Sequence, residues 1–170
     1  MAFQIGEKVV YPNQGIGTIE NVSARSFGNT FERYYLLRLA CGSIKVMVPF
    51  SHVSDIGLRK ITTNSEWLRV LTFLSAGRCA CCHDWKNRFK ENSEKMRAGD
   101  PLRIAEVLKS LLLLQRQKPL SFREKKMLDQ ARQMLIVELS ISRGMQQDDA
   151  VGVIQRALAK ASLELPPPRQ

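Results

Sequence analysis

Between residue 3 and about residue 56 the apolar positions fall in short runs. VVYP, GIGTIENV, RYYLLRL and SIKVMVPF are separated by turn-forming stretches at 13–15, 27–30 and 41–43. β-Branched and aromatic residues alternate imperfectly with polar ones in these runs, which predicts four or five short antiparallel strands. Imperfect alternation suits a small sheet that curls until one face is buried and the other stays wet, so a small barrel is expected. A unit of this size buries little apolar area and is only marginally stable.

After the Thr-Thr-Asn-Ser stretch at 62–65 the period becomes helical. Asn64 or Ser65 is the expected N-cap of a helix carrying Trp67, Leu68, Val70, Leu71 and Leu74 and ending at 76–77. Asp84 suits the N-cap of a second, with Trp85, Phe89 and Met96 at helical intervals and Gly99 beyond its end. Asp100-Pro101 opens a third, whose broad apolar face from Ile104 to Leu114 predicts a central core element. Ser121-Phe-Arg-Glu124 reads as a capping box for a fourth helix, closed by Gly144. Asp148 or Asp149 is expected to cap a fifth, and Leu-Pro-Pro-Pro-Arg-Gln to fray. The expected class is segregated α+β: a β domain over 1–60, a helical domain of about five helices over 61–165, and a disordered tail over 166–170.

The net charge of +10 is unevenly spread. Residues 1–55 carry 5 Lys/Arg against 4 Asp/Glu, residues 56–120 carry 13 against 6, and residues 121–170 carry 8 against 6. An excess in the middle of the chain points to a polyanion, because each cation that neutralises a phosphate releases condensed counterions. Nucleic acid is favoured over an acidic membrane surface. MAFQIGEKVV lacks the basic and apolar regions of a signal peptide, and no stretch approaches the ~20 apolar residues of a membrane span. A soluble, cytoplasmic protein without membrane contact is expected.

Three of the 4 cysteines, Cys79, Cys81 and Cys82, crowd beside His83. Adjacent Cys81 and Cys82 cannot easily reach one ion together, and no second half-site occurs, so no metal or other cofactor is expected. Gly15-Ile-Gly17 lacks the third glycine of a dinucleotide fingerprint and the Lys-Ser/Thr of a phosphate loop, and reads as turn chemistry. With 2 histidines, His52 and His83, and no Ser/His/Asp ordering or carboxylate pair, an enzyme is not expected.

Trp85 stands among Lys86, Arg88, Phe89 and Lys90, followed by Lys95 and Arg97, with Lys125 and Lys126 on a later helix. Cations on phosphates with a ring that wedges at a distorted step form a nucleic-acid signature. Pattern alone serves a second reading equally, in which Trp85 packs inward and the charges are a solvated face.

FQIGEKVVYPNQGIGTIENV, YYLLRL and KVMVPF resemble the RNA polymerase-interacting domain of the CarD/CdnL family, a Tudor-like barrel also found in the transcription-repair coupling factor. DWKNRFKENSEKMRAGDPLRIAEVLKSLLLL and LSFREKKMLDQARQMLIVELS resemble that family's helical DNA-binding domain, so the likeness covers residues 3–162. It implies a regulator that grips the polymerase β subunit and touches promoter DNA at the upstream edge of the bubble, stabilising the open complex. Trp85 would be the minor-groove wedge, with Lys86, Arg88, Lys90 and Lys125 at phosphates, without sequence-specific reading; Lys126 joins the expected DNA-binding set by its charge beside Lys125. Phe122 falls where the family shows an exposed apolar residue, although its place inside a capping box equally suits a contact between helices. For the polymerase face the resemblance points to Arg25, Leu36, Met47 and Pro49, with the strand near VMVP extending a partner's sheet. Some members carry arginine where this chain has Met47, and the cysteine loop departs from the family pattern. A single copy is expected to act. The alternatives are a polymerase-independent architectural DNA-binding protein and a metal- or redox-sensing regulator built on Cys79, Cys81, Cys82 and His83.

Overall fold

The structure is a computed structural model that describes residues 3–12, 15–39, 44–76 and 85–167, with the side chains of Phe27, Trp85 and Lys86 outside the description. The chain divides into two compact units between Ile61 and Thr62.

Unit 1 holds five antiparallel strands: β1 (Lys8–Tyr11), β2 (Gly15–Phe27), β3 (Thr30–Leu39), β4 (Lys45–Pro49) and β5 (Arg59–Lys60). A 3-10 turn, Phe50–His52, and a one-turn helix α1, Val53–Ile56, lie between β4 and β5. The strand order β4-β3-β2-β1-β5 puts β4 and β5 at opposite ends, so the expected barrel is an open sheet among the described residues. The two outer strands are only five and two residues long, which is short for closing a ladder. Val9, Ile19, Tyr35, Leu37, Leu39 and Val48 are buried on one face against Phe3, Val53 and Leu58. Phe50 stacks on Tyr35 at 4.2 Å between ring centroids, and the Tyr35 hydroxyl accepts the Phe3 N–H at 3.1 Å.

The two glycines of the Gly-Ile-Gly segment do different work. Gly15, at φ +100, makes the turn conformation that only glycine takes readily. Gly17 instead lies inside β2, opposite Val9 and Leu39, where an added Cβ would sit 3.0 Å from the Arg38 carbonyl oxygen and the Leu37 side chain. Close approach of backbones explains it, and the turn reading fails at this position.

Unit 2 is helical: α2 (Asn64–Ser75), α3 (Trp85–Ala98), α4 (Pro101–Gln117), α5 (Phe122–Arg143) and α6 (Gln147–Lys160). Its core joins Trp67, Val70 and Leu74 of α2, Ile104, Leu108 and Leu111 of α4, Leu128, Leu135 and Leu139 of α5, and Ile154 and Leu158 of α6. Each such side chain removed from water stabilises the unit by about 1.5–3 kcal/mol. The apolar face of α4 is wide because the other four helices of the unit are packed around the same core. Lys109 is fully buried on it, donating to the Phe73 carbonyl in the last turn of α2 at 2.6 Å, with its Nζ 4.8 Å from the Phe73 ring centre. A cation at a helix C-terminus meets the negative end of the helix dipole.

Asp100, Ser121 and Gly144 act as expected at the helix ends. Two expected caps do not. The N-cap of α2 is Thr63, whose reciprocal box with Glu66 outcompetes Asn64 and Ser65 because it satisfies two orphan amides at once. Helix α6 is entered from Gln146 without a side-chain cap, and Asp148 and Asp149 lie inside its first turn, where their charge faces the positive end of the dipole. The expected tail is tied down as far as Pro166: its carbonyl accepts from Arg132 Nε at 2.8 Å, and Leu165 N–H donates to Gln155 at 2.7 Å.

Candidate nucleic-acid and partner interfaces

In unit 1 the core takes Tyr35, Leu37 and Leu39 from β3 and Val48 from β4. Alternation therefore sends Tyr34, Leu36 and Arg38, with Lys45, Met47 and Pro49, to the other face. The ladder sets Met47 opposite Leu36 and Pro49 opposite Tyr34. On the other flank of β3, Asn21 lies opposite Leu36, Ser23 opposite Tyr34 and Arg25 opposite Glu32. Arg25, Leu36, Met47 and Pro49 thus share one outer face across three strands. Arg25 and Met47 are exposed, while Leu36 and Pro49 are half-buried. A bulge between Ile19 and Asn21 adds Glu20 to the same patch, where it bridges Arg38 at 2.7 Å and Lys45 at 3.4 Å.

The edge of β4 is open. Leu39 N–H donates to the Ile44 carbonyl at 3.0 Å, so the 37–46 and 35–48 pairs are the hydrogen-bonded ones. The N–H and C=O of Lys45 and Met47, and the C=O of Pro49, therefore point away from β3, and no strand of the described residues covers them. Proline at an outward position of an edge strand breaks no ladder bond.

In unit 2, Trp85 and Lys86 form the first turn of α3, their side chains outside the described residues. Lys90 and Arg97 of α3 are exposed, whereas Lys95 is paired with Glu106 of α4 at 3.0 Å. At the start of α5, Phe122 is 70% exposed, and Lys125 and Lys126 are exposed beside it. Arg123, also exposed, extends this cationic surface beyond the expected residues, and its place in SFREKK is the signal that marks it.

Arg88 departs from the expectation. It is only 5% exposed and its Nη2 lies 3.2 Å from Glu124 Oε2, so it is an internal ion pair and not a surface phosphate contact. Its helical position, four residues before buried Asn92 and eight before half-buried Met96, turns it toward the packed side of α3. Cys79, Cys81, Cys82, His83 and the expected cap Asp84 lie outside the described residues. Among those described, no group of three His, Cys, Asp or Glu side chains is arranged to hold a metal, and no helix is long and apolar enough to cross a membrane.

An antiparallel sheet with an open edge, followed by a helical unit with a cationic surface, makes a two-part molecule of the class built for binding. Residues 3–62 match the family model described as the CarD-like/TRCF RID domain, and residues 69–155 match that of the CarD C-terminal domain. The chain belongs to the CarD family of transcription regulators, with an RNA polymerase-interacting domain at its N-terminal side. It is 33% identical over 143 residues, 84% of this chain and 94% of the relative, to the Bacillus subtilis protein named "Putative transcription factor YdeB". Among solved structures, the solution NMR structure of the 72-residue N-terminal domain of Myxococcus xanthus CarD is 31% identical, covering 34% of this chain and 77% of that one at a TM-score of 0.30. CdnLNt from Myxococcus xanthus is 30% identical, covering 38% and 90%, at a TM-score of 0.33.

Proposed function

We propose that this chain binds the RNA polymerase β subunit through the outer face of its sheet and the open edge of β4, and promoter DNA through the N-terminal turns of α3 and α5. Arg25, Leu36, Met47 and Pro49 are the polymerase contacts, with Met47 making an apolar one. On the DNA side, Trp85 wedges at the upstream junction of duplex and bubble. Lys86, Lys90, Lys125, Lys126 and Arg123 hold phosphates, and Phe122 lies against the distorted backbone. A ring placed at that junction occupies space the strands need in order to re-pair, and unstacking costs least where pairing has already ended. The protein thereby prolongs the open complex without chemistry of its own.

The observation that carries this reading is the exposure of Phe122 among Arg123, Lys125 and Lys126, on a helix start joined to that of α3. A large ring 70% exposed beside three cations is available to a nucleic acid. The test is the lifetime of polymerase–promoter open complexes with no factor, with wild type and with Trp85→Ala, each protein confirmed folded. Wild type is expected to lengthen the lifetime and Trp85→Ala to return it toward baseline. No lengthening by wild type, with DNA affinity retained, would replace this reading with that of an independent architectural protein.

A further inference from the structure

We infer that Arg88 and Glu124 form a positioning strut that sets the start of α3 against the start of α5, and so fixes the separation of the Trp85 wedge from the Phe122 surface. The inference rests on the DNA-binding reading above. One carboxylate does both jobs. Glu124 Oε1 accepts from the Ser121 N–H at 3.3 Å and hydroxyl at 3.1 Å, closing the capping box of α5, while Oε2 receives Arg88 from α3 at 3.2 Å. The Ser121 hydroxyl in turn accepts the Glu124 N–H at 3.2 Å.

The side chains of Arg88 and Glu124 are 6% and 4% exposed. Screening by salt is weak at such burial, so the tie persists at ionic strengths that weaken surface pairs. Arg88 lies three residues after Trp85, and Glu124 lies between Phe122 and Lys125. The strut therefore joins the two helix starts within one turn of each proposed DNA-contacting ring. Among the described cations at the starts of α3 and α5, the charge of Arg88 is withdrawn from solvent, whereas those of Lys90, Arg123, Lys125 and Lys126 remain outside. Holding two surfaces in register asks for a buried, directional bond, and a phosphate contact asks for the opposite.

The experiment uses Arg88→Lys and the double variant Arg88→Met/Glu124→Gln in the full chain. The double variant leaves no orphan charge, and its glutamine keeps the capping box. Binding to fork-junction DNA is measured across salt concentrations, with open-complex lifetime and amide hydrogen exchange on the same proteins. A phosphate contact would lower the slope of log affinity against log salt by about 0.9 in the double variant and leave it intact in Arg88→Lys. A strut leaves the slope unchanged in both, shortens the open-complex lifetime about tenfold in the double variant, and speeds exchange at 85–90 and 122–126 while α4 and α6 stay protected. A lowered slope, or wild-type exchange at those two segments, overturns the inference. The exchange readout needs no DNA, so it separates failure of the strut from failure of the DNA-binding reading, which wild-type lifetimes test by themselves.

Discussion

At the level of single residues, two positions show how packing overrides the local reading of a sequence. Gly17 looked like half of a turn, yet it is held by the carbonyl oxygen of Arg38 at 3.0 Å from where a Cβ would be. Gly17→Ala is expected to destabilise unit 1 by about 1–3 kcal/mol, because the neighbour on one side is backbone and cannot swing away. Urea denaturation followed by circular dichroism reads this directly; a wild-type midpoint would mean that β2 and β3 separate more easily than their ladder implies. Arg88 is the second case. Its neighbours Lys86 and Lys90 suggested a solvated cationic face, and nothing in the local sequence distinguishes the one arginine whose partner is 36 residues away in α5. Periodicity alone gave the hint, since Arg88 shares a stripe with half-buried Met96 and buried Asn92.

At the level of elements, the caps that were legible were those with a two-residue signature: Asp100-Pro101 and the Ser121–Glu124 box. The Thr63–Glu66 box has the same form but stands beside two other good cap residues, Asn64 and Ser65, on which the expectation fell. Strand number and order of appearance were legible from alternation, whereas openness of the sheet was not, because ladder closure depends on strands that approach only in space. The grouping of Arg25, Leu36, Met47 and Pro49 is likewise a property of register across β2, β3 and β4. That register makes a sharp prediction. Met47 sits at a position whose N–H points away from β3, so Met47→Pro removes the outward donor without breaking a ladder bond. Affinity for the isolated polymerase β subunit is expected to fall about tenfold or more while the melting midpoint of unit 1 moves by only a few degrees. Unchanged affinity would remove main-chain pairing from the proposed mode of contact.

At the level of the whole molecule, the two units have unequal cores. Unit 1 buries Phe3, Val9, Ile19, Tyr35, Leu37, Leu39, Val48, Val53 and Leu58 as one cluster, while unit 2 draws a larger one from α2, α4, α5 and α6. Scanning calorimetry of the full chain is therefore expected to resolve two transitions, with the upper one reproduced by residues 62–170 alone. A single transition, with no cooperative melting of 62–170, would show that neither unit stands without the other. The open edge of β4 also bears on how the protein behaves toward its own copies. Two such strands meeting antiparallel about Met47 would set Lys45 of each against Pro49 of the other, and each copy brings one missing donor. A foreign strand with a full row of amides would meet only one such gap, so the five residues of β4 are a poorer template for themselves than for another chain. Pro49 at the rim of the sheet is thus expected to weaken self-pairing of β4, and sedimentation of Pro49→Ala beside wild type would read the difference.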